Sequence, residues 1–393
     1  MKIGLTICEY NPFHNGHLYS INQIKKELNP DALIVIMSGN FTERGETAIM
    51  HKTNRATHAI KAGADMVIEL PTVFATAPAE IFAKGAVKLL NELKGEKTLC
   101  FGVESASKSG LIATAAALSN ESSELKSLIK EYLKQGNSLA KARYLALEQL
   151  NIPGVDLNLT ASPNNILALE YTKAIIENNY DIDILPITRT GTGYKSLETA
   201  DNICSAMAIR QFIIDGKKEE CKNFVPAYVY ENLPNEIPSC DHLQTYSLAL
   251  KSKNELKQIL DCTEGLENRI KSLLKDNLTK QELLENLCTK RYTSTRLSRI
   301  MLSSMLNITE NFIRKCLNET LYLKVLAINK NSFSLLSTLS KNTPFLFRKS
   351  DADTLNETAL ECFEKDVFAN DIYNQITNTK NNEHYTKIVD LKD

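Results

Sequence analysis

The sequence has no tryptophan, no Cys-X-X-Cys pair and no excess of charge of either sign. Nor does any apolar run approach the roughly eighteen residues of a membrane span. The missing tryptophan excludes little. The missing Cys-X-X-Cys excludes more: Cys8, Cys100, Cys204, Cys221, Cys240, Cys262, Cys288, Cys316 and Cys362 are scattered singly, several inside apolar runs such as TLCFGVE. An odd number of isolated cysteines reads as reduced, buried thiols of a cytosolic protein rather than a disulfide framework or a zinc ribbon. The N-terminus shows no basic stretch followed by a long apolar one. Neither signal peptide nor membrane partner is therefore expected, and the expected location is the cytoplasm. With 46 Lys and Arg against 47 Asp and Glu, the formal charge is -1. That excludes nucleic-acid binding through overall basicity but leaves room for a local basic face. There is no internal repeat or long low-complexity segment, and no feature sets the oligomeric state.

What is present is an ordinary globular composition, 43% apolar and 24% charged over 393 residues, a length that predicts two domains. Short apolar runs recur through the first half: IGLTI (3–7), ALIVIM (32–37), MVIEL (66–70), TLCFGV (98–103) and DILPIT (183–188). Between them lie stretches of helical period such as HLYSINQIKKEL and NRATHAIKAGA. This alternation predicts an α/β fold with a parallel sheet covered by helices on both faces, which places ligands at the carboxyl ends of the strands. From about 205 onward the texture changes. CSAMAIRQFIIDGKK begins a helix, NFVPAYVYENLPNEIPSCDH reads as a proline-marked link, and 242–316 is nearly continuous helix. The last eighty residues mix a strand (LYLKVLAIN), a turn-rich stretch and a helix (TALECFEKDVFANDIYNQI). The division expected is 1–230 for the α/β domain and 231–393 for a mainly helical C-terminal region.

The unusual residues cluster after the strands. His14-Asn15-Gly16-His17 follows the first strand and opens a helix. Unpaired backbone N–H groups and a positive helix dipole suit that place to an anion, and Gly16 lets a ligand lie against the backbone. Two imidazoles there can donate hydrogen bonds to phosphate and stabilise charge growing in a phosphoryl transition state. Zinc is the competing reading, with His51 and His58 as further ligands, but no short-spaced Cys or carboxylate set accompanies them. A purely structural histidine pair is the third.

Each further motif has two readings. Gly39, Asn40 and Gly45 give a loop rich in hydrogen-bonding groups, whose Arg44 meets either a phosphate or Glu43 or Glu46. Arg55 lies on a helix near the site or forms a surface ion pair. Gly102 lets a purine or ribose approach the strand, or marks a bulge. Ser162 and Pro163 read as an N-cap and first turn, leaving Asn164 and Asn165 free at the helix mouth. Arg189, directly after DILPIT, is placed to neutralise phosphate or stack on adenine. Lys290, Arg291, Arg296 and Arg299 form a local cationic patch with Tyr292 as a ring for an unpaired base, the combination by which RNA loops are bound. A solvated basic helix face is the alternative.

HNGH after a first strand is similar to the HxGH signature of the nucleotidyltransferase superfamily, whose members bind ATP in a Rossmann-like domain and attack its α-phosphate. The longer EYNPFHNGH, with SGNFTERGE (38–46), NRATHAIKAGADMVIELP (54–71), FGVES (101–105), SPNNILALEY (162–171), ITRTGTGY (187–194) and KRYTSTRLSRI (290–300), resembles the bacterial tRNA(Met) cytidine acetate ligases. The resemblance implies a Rossmann-like nucleotidyltransferase domain followed by a tRNA-binding C-terminal region. It implies that ATP is a substrate, with Mg²⁺ carried by ATP and no dedicated protein metal site. The partners implied are acetate and elongator tRNA(Met). Acetate would form acetyl-adenylate, and the wobble cytidine would then become N4-acetylcytidine. His14 and His17 are the catalytic pair it implies. Its ATP-contacting positions fall on Ile7, Cys8, Glu9, Tyr10, Asn11, Pro12, Phe13, His14, Asn15, Gly16, His17, Leu18, Tyr19 and Ser20, and on Gly102, Asn164 and Arg189.

One departure concerns a second phosphate motif of the superfamily, S-[ST]-T-x-I-R, which here reads Ser205-Ala206-Met207-Ala208-Ile209-Arg210. The hydroxyls that would follow Ser205 and hold phosphate are missing, and Ser205 and Arg210 are what remains. Two alternatives stay open: an adenylyltransferase making a nucleotide cofactor, and a catalytically degenerate nucleotide- or RNA-binding protein. The cationic patch argues against the first, and the intact His14 and His17 against the second.

Overall fold

The computed structural model describes residues 1–104, 106–160, 162–189, 202–339 and 343–391. Ser105 of FGVES and positions 190–194 of ITRTGTGY lie outside the described residues. Within them one sheet takes eight strands: β1 (Lys2–Cys8), β2 (Ala32–Ser38), β3 (Met66–Leu70), β4 (Glu96–Val103), β5 (Asp183–Thr188), β6 (Leu323–Asn329), β7 (Phe345–Leu346) and β8 (Lys387–Val389). Their order is β5-β4-β1-β2-β3-β6-β7, with β8 also on β6. β1 to β5 are mutually parallel where they pair, and the crevice between β1 and β4, where the winding reverses, is the ligand position of such a sheet.

The strands read as continuous apolar runs because both faces are covered. Along β2, Ile34 and Ile36 pack to one side with β4 and helix α3 (Ala79–Asn91), while Leu33, Val35 and Met37 pack to the other. There they meet Ile21 and Ile24 of α1 (Asn15–Leu28) and Ala56, Ala59 and Ile60 of α2 (Lys52–Lys61). All seven residues of β2 are buried. Helix α4 (Pro163–Glu177) covers β4, and α5 (Ala206–Ile214) joins the second face.

The helices that follow have a core of their own, including Leu248, Ile259, Ile270, Leu283, Leu287 and Leu297. The last of this tier, α6 (Ser294–Leu306), divides its buried side between this core, through Leu297, Ile300 and Met301, and the core of the α/β part, through Leu302, Met305 and Leu306. The chain then returns to the sheet. β6 pairs antiparallel with β3, so the sheet takes strands from both sides of position 230. LYLKVLAIN reads as a strand in the sequence, but its partner lies some 250 positions earlier, with no local signal. A buried ion network fastens this return: Lys52 contacts Glu69 and Glu383, each at 2.7 Å, and Lys324 contacts the same two carboxylates. Helix α7 (Glu357–Thr377) adds Asp366, which accepts from the Thr72 N–H and the Tyr322 hydroxyl. The cysteines are free thiols, seven of them buried, Cys8 half-buried and Cys288 exposed.

Candidate active site

At the carboxyl ends of β1, β4 and β5 lies a cleft of about 240 Å³. His14 and His17 stand on its wall, and their geometry follows from helix capping. His14 is the N-cap of α1: its Nδ1 accepts from the Gly16 N–H at 3.1 Å. His17, three residues on, accepts the His14 N–H at its own Nδ1, at 3.3 Å. The reciprocal exchange of a capping box, usually made by a hydroxyl and a carboxylate, is here made by two imidazoles, with the rings stacked at 3.7 Å between centroids. Since each Nδ1 is an acceptor, each neutral ring carries its proton on Nε2. Burial, with Arg189 adding to it, lowers the His14 pKa to about 3. His17 is held well below its usual 6.5 by burial, then by His14 and Arg189. Both rings are therefore neutral Nε2–H donors at pH 7.

Gly16 lines the cleft and also makes room for the capping ring, since a Cβ there would lie 2.9 Å from His14 Cε1. Tyr10 adopts a left-handed φ of 47° and packs its ring edge-on against Phe13 and His17, each at 4.8 Å. Of the first loop, Ile7, Cys8, Glu9, Tyr10, Asn11, Tyr19 and Ser20 also line the cleft. Pro12, Phe13, Asn15 and Leu18 do not. Phe13 is fully buried, and the Asn15 amide holds the carbonyls of Asn202 and Asn223.

Across the crevice, Gly102, Asn164 and Arg189 come together. Arg189 donates to Asn164 Oδ1 at 3.4 Å, and Asn164 donates to Glu104 at the same distance. A Cβ on Gly102 would meet Arg189 Cγ at 3.1 Å, so the glycine seats the arginine stem against β4. Asn165, expected to be free, is buried and accepts the Glu104 N–H. Ser162 occupies the N-cap position of α4 without its side chain capping, and its hydroxyl is buried without a partner. Ser205 caps α5 by accepting the Ala208 N–H, while Arg210 donates to the Asn11 carbonyl and pairs with Glu46 at 3.6 Å. Both line the cleft.

Sequence reasoning missed the apolar end of the cleft, Phe82, Phe101, Leu167 and Tyr171, whose residue types fit any core. It also missed the part played by Arg55. That side chain is fully buried and no surface ion pair: it donates to the carbonyls of Glu9, Ser38, Gly39 and Met50, tying the end of β1 to the end of β2. His51 and His58 do not join the first pair. His51 caps α2 and meets Asn370 at 2.8 Å, and His58 packs on Tyr228. Among the described residues no group of three or more His, Cys, Asp or Glu is arranged to hold a metal ion.

The cationic patch lies apart from the cleft with one exception. Arg299 reaches Glu43, a cleft residue, at 2.7 Å. Gly45 lies so close to α6 that a Cβ would sit 2.5 Å from the Ser298 carbonyl carbon, at a φ of +75°. The helical tier is thereby docked on the rim of the cleft. Tyr292 is not the exposed ring expected: it is 8% exposed, lies under the Arg296 guanidinium at 4.6 Å, and donates to the Thr263 carbonyl. The ring completes the tier's own core, which outweighs leaving it in water. Arg291 is exposed and pairs with Glu264. No helix among the described residues is long and apolar enough to cross a membrane.

The HIGH Nucleotidyl Transferase family model matches residues 1–387. The chain is 37% identical over 378 residues, 93% of each protein, to the tRNA(Met) cytidine acetate ligase of a Thermoanaerobacter species. It is 37% identical over 372 residues to that of Clostridium botulinum, covering 87% of this chain and 90% of that one. Crystal structures of Thermotoga maritima TmcAL superpose with TM-scores of 0.91 for the apo form and 0.90 for the form bound with alpha-thio ATP. Both are 27% identical and cover 99% of this chain and 100% of the other.

Proposed function

The chain belongs to the HIGH nucleotidyl transferases and, within them, to the tRNA(Met) cytidine acetate ligases; from that premise we propose how its cleft works. It is an ATP-dependent ligase that acetylates N4 of the wobble cytidine of elongator tRNA(Met). Acetate attacks the α-phosphorus of ATP, pyrophosphate leaves, and acetyl-adenylate remains. N4 then attacks the acetyl carbon, and AMP leaves with the electron pair of the broken C–O bond.

The observation that carries the reading is the reciprocal histidine cap. It fixes two Nε2–H donors at the mouth of α1, where the helix dipole already favours an anion. Neutral donors suit the task because they need no proton exchange as charge builds on the phosphoryl oxygens. Arg189, backed by Asn164, supplies a cation on the nucleoside side, and Arg210 one on the other. Mg²⁺ enters with the phosphates of ATP as part of the substrate. The substrates place the enzyme in the cytoplasm, with 1–230 as the main ATP-binding part and 231–393 meeting the tRNA.

The test is incubation with ATP and a panel of small carboxylates, with and without total tRNA, following AMP, acyl-adenylate and nucleoside composition. Acetate-dependent AMP together with N4-acetylcytidine is the expected result. A stable dinucleotide product would replace this reading with a cofactor adenylyltransferase, and ATP binding without turnover with a nucleotide-sensing protein.

A further inference from the structure

The acetyl-transfer step needs a group to take the proton that N4 loses, and neither histidine is placed for it: both carry their proton on Nε2 and hold backbone N–H groups at Nδ1. The cleft contains another titratable group that the first step does not use. Glu9 is half-buried on the cleft wall, next to Tyr10, whose ring touches His17. Its Oε1 accepts the Glu43 N–H at 2.8 Å, which leaves Oε2 to receive a proton. Its backbone carbonyl is held by Arg55, so the side chain projects from a fixed base.

The sheet order gives this position its meaning. Gly102 and Arg189 belong to β4 and the end of β5 on one side of β1, and the histidines follow β1 itself. Glu43 follows β2 on the opposite side, and through Arg299 it contacts the helical tier. The contacts Arg299–Glu43–Glu9 thus run from the helical tier to the cleft wall.

We propose that the Glu9 carboxylate is the general base of the acetyl-transfer step, taking the N4 proton as the new C–N bond forms and the C–O bond to AMP breaks. The inference rests on the ligase reading given above. Atoms balance: cytidine N4 gains the acetyl group and loses one proton to Glu9, AMP leaves as the anion, and Glu9 returns the proton to solvent.

The electrostatics order the two steps. Burial raises the Glu9 pKa to about 7; Glu43 adds to this, and the Glu43 N–H, Arg210 and Arg55 oppose it. Tyr171, from α4, also faces it as a buried neutral phenol, and Glu46 and Arg44 share the rim. With the ATP triphosphate in the cleft, like-charge repulsion keeps the carboxyl protonated, so it does not repel incoming acetate. Departure of pyrophosphate removes that repulsion, and the carboxylate ionises in time to act as a base.

The experiment supplies acetyl-adenylate and an elongator tRNA(Met) transcript to the full-length enzyme and follows N4-acetylcytidine in a single turnover. The wild-type rate should rise with pH through a titration between about pH 5.5 and 8.5. Glu9→Gln, which keeps an acceptor for the Glu43 N–H, should be slower by about 100-fold or more, with the pH limb gone. Glu9→Asp should recover part of the rate and the limb with it. A Glu9→Gln enzyme within about threefold of wild type, or a wild-type profile flat across that range, overturns the assignment. The flat profile does so even if the variant fails to fold. A wild-type enzyme that neither makes nor uses acetyl-adenylate overturns the ligase reading and this inference together, so the two failures are distinguishable.

Discussion

Arg55 offers the sharpest test of how this site is held. Its guanidinium is fully buried, and it is solvated by four backbone carbonyls, those of Glu9, Ser38, Gly39 and Met50. Replacing it with methionine fills similar volume but takes the guanidinium donors away from four carbonyls, three of them buried and that of Glu9 half-buried. Each orphaned group costs about 1–3 kcal/mol. Against this stands the relief of no longer burying a charge, several kcal/mol per ion after relaxation. The balance predicts that Arg55→Met loses roughly 3–5 kcal/mol, the range for breaking a buried charged interaction from one side. Arg55→Lys keeps the charge but cannot reach carbonyls on two strand ends with one ammonium, and should lose about 2–3 kcal/mol. Urea unfolding followed by circular dichroism reads both values, and ATP titration of the Lys variant should show weakened binding because β1 and β2 are no longer tied. A loss below about 1 kcal/mol in Arg55→Met would refute the reasoning, since that is the net worth of an ordinary neutral hydrogen bond.

Other consequences follow from the same geometry. His14→Asn replaces one good N-cap by another, so the unfolding free energy should move by less than about 0.5 kcal/mol while AMP formation falls roughly 100-fold. A parallel loss of stability and activity would mean that the ring serves only as a cap. Burial lowers the pKa values of His14, His17, His51 and His58, to about 3 for the first and about 4 for the last two. The unfolded chain then binds more protons below pH 6.5, so stability falls on acidification, by about 2 kcal/mol at pH 5 for each of His14, His51 and His58, with His17 acting in the same direction. Glu9, whose pKa is raised, offsets part of this through its opposite sign. Urea midpoints at about pH 7.5 and 5 should differ accordingly, and equal midpoints would contradict neutral burial. Lys290→Glu with Arg291→Glu should spare acetate-dependent acetyl-adenylate formation and weaken tRNA binding by about tenfold or more, read by filter binding at two salt concentrations. Unchanged binding would move the RNA face elsewhere.

The sequence by itself determined the strands of the parallel sheet, because a strand buried on both faces reads as a nearly continuous apolar run; ALIVIM is one, and MVIEL is one but for Glu69, whose buried carboxylate Lys52 and Lys324 hold. It determined the position of the histidine pair and of Asn164, Arg189 and Gly102, since helix starts and strand ends are local features with local signals. Only the tertiary structure decided what those residues do to one another. Gly16 reads locally as room for a ligand, and the fold shows that it also makes room for the His14 ring. Tyr292 reads as a platform for a base, yet it is roofed by Arg296 in a small core that draws on distant helices. Arg55 could be placed on a helix near the site, but its partners have no local mark, because its four acceptors are carbonyls, which every residue carries. β6 was legible as a strand but not as the partner of β3, and Glu9 was legible as a neighbour of HNGH but not as a carboxylate raised to about 7. Periodicity and capping act over a few residues and are written into the chain. Burial, register across long loops and the field felt by a buried charge depend on what folding brings alongside, and appear only once the chain has closed on itself.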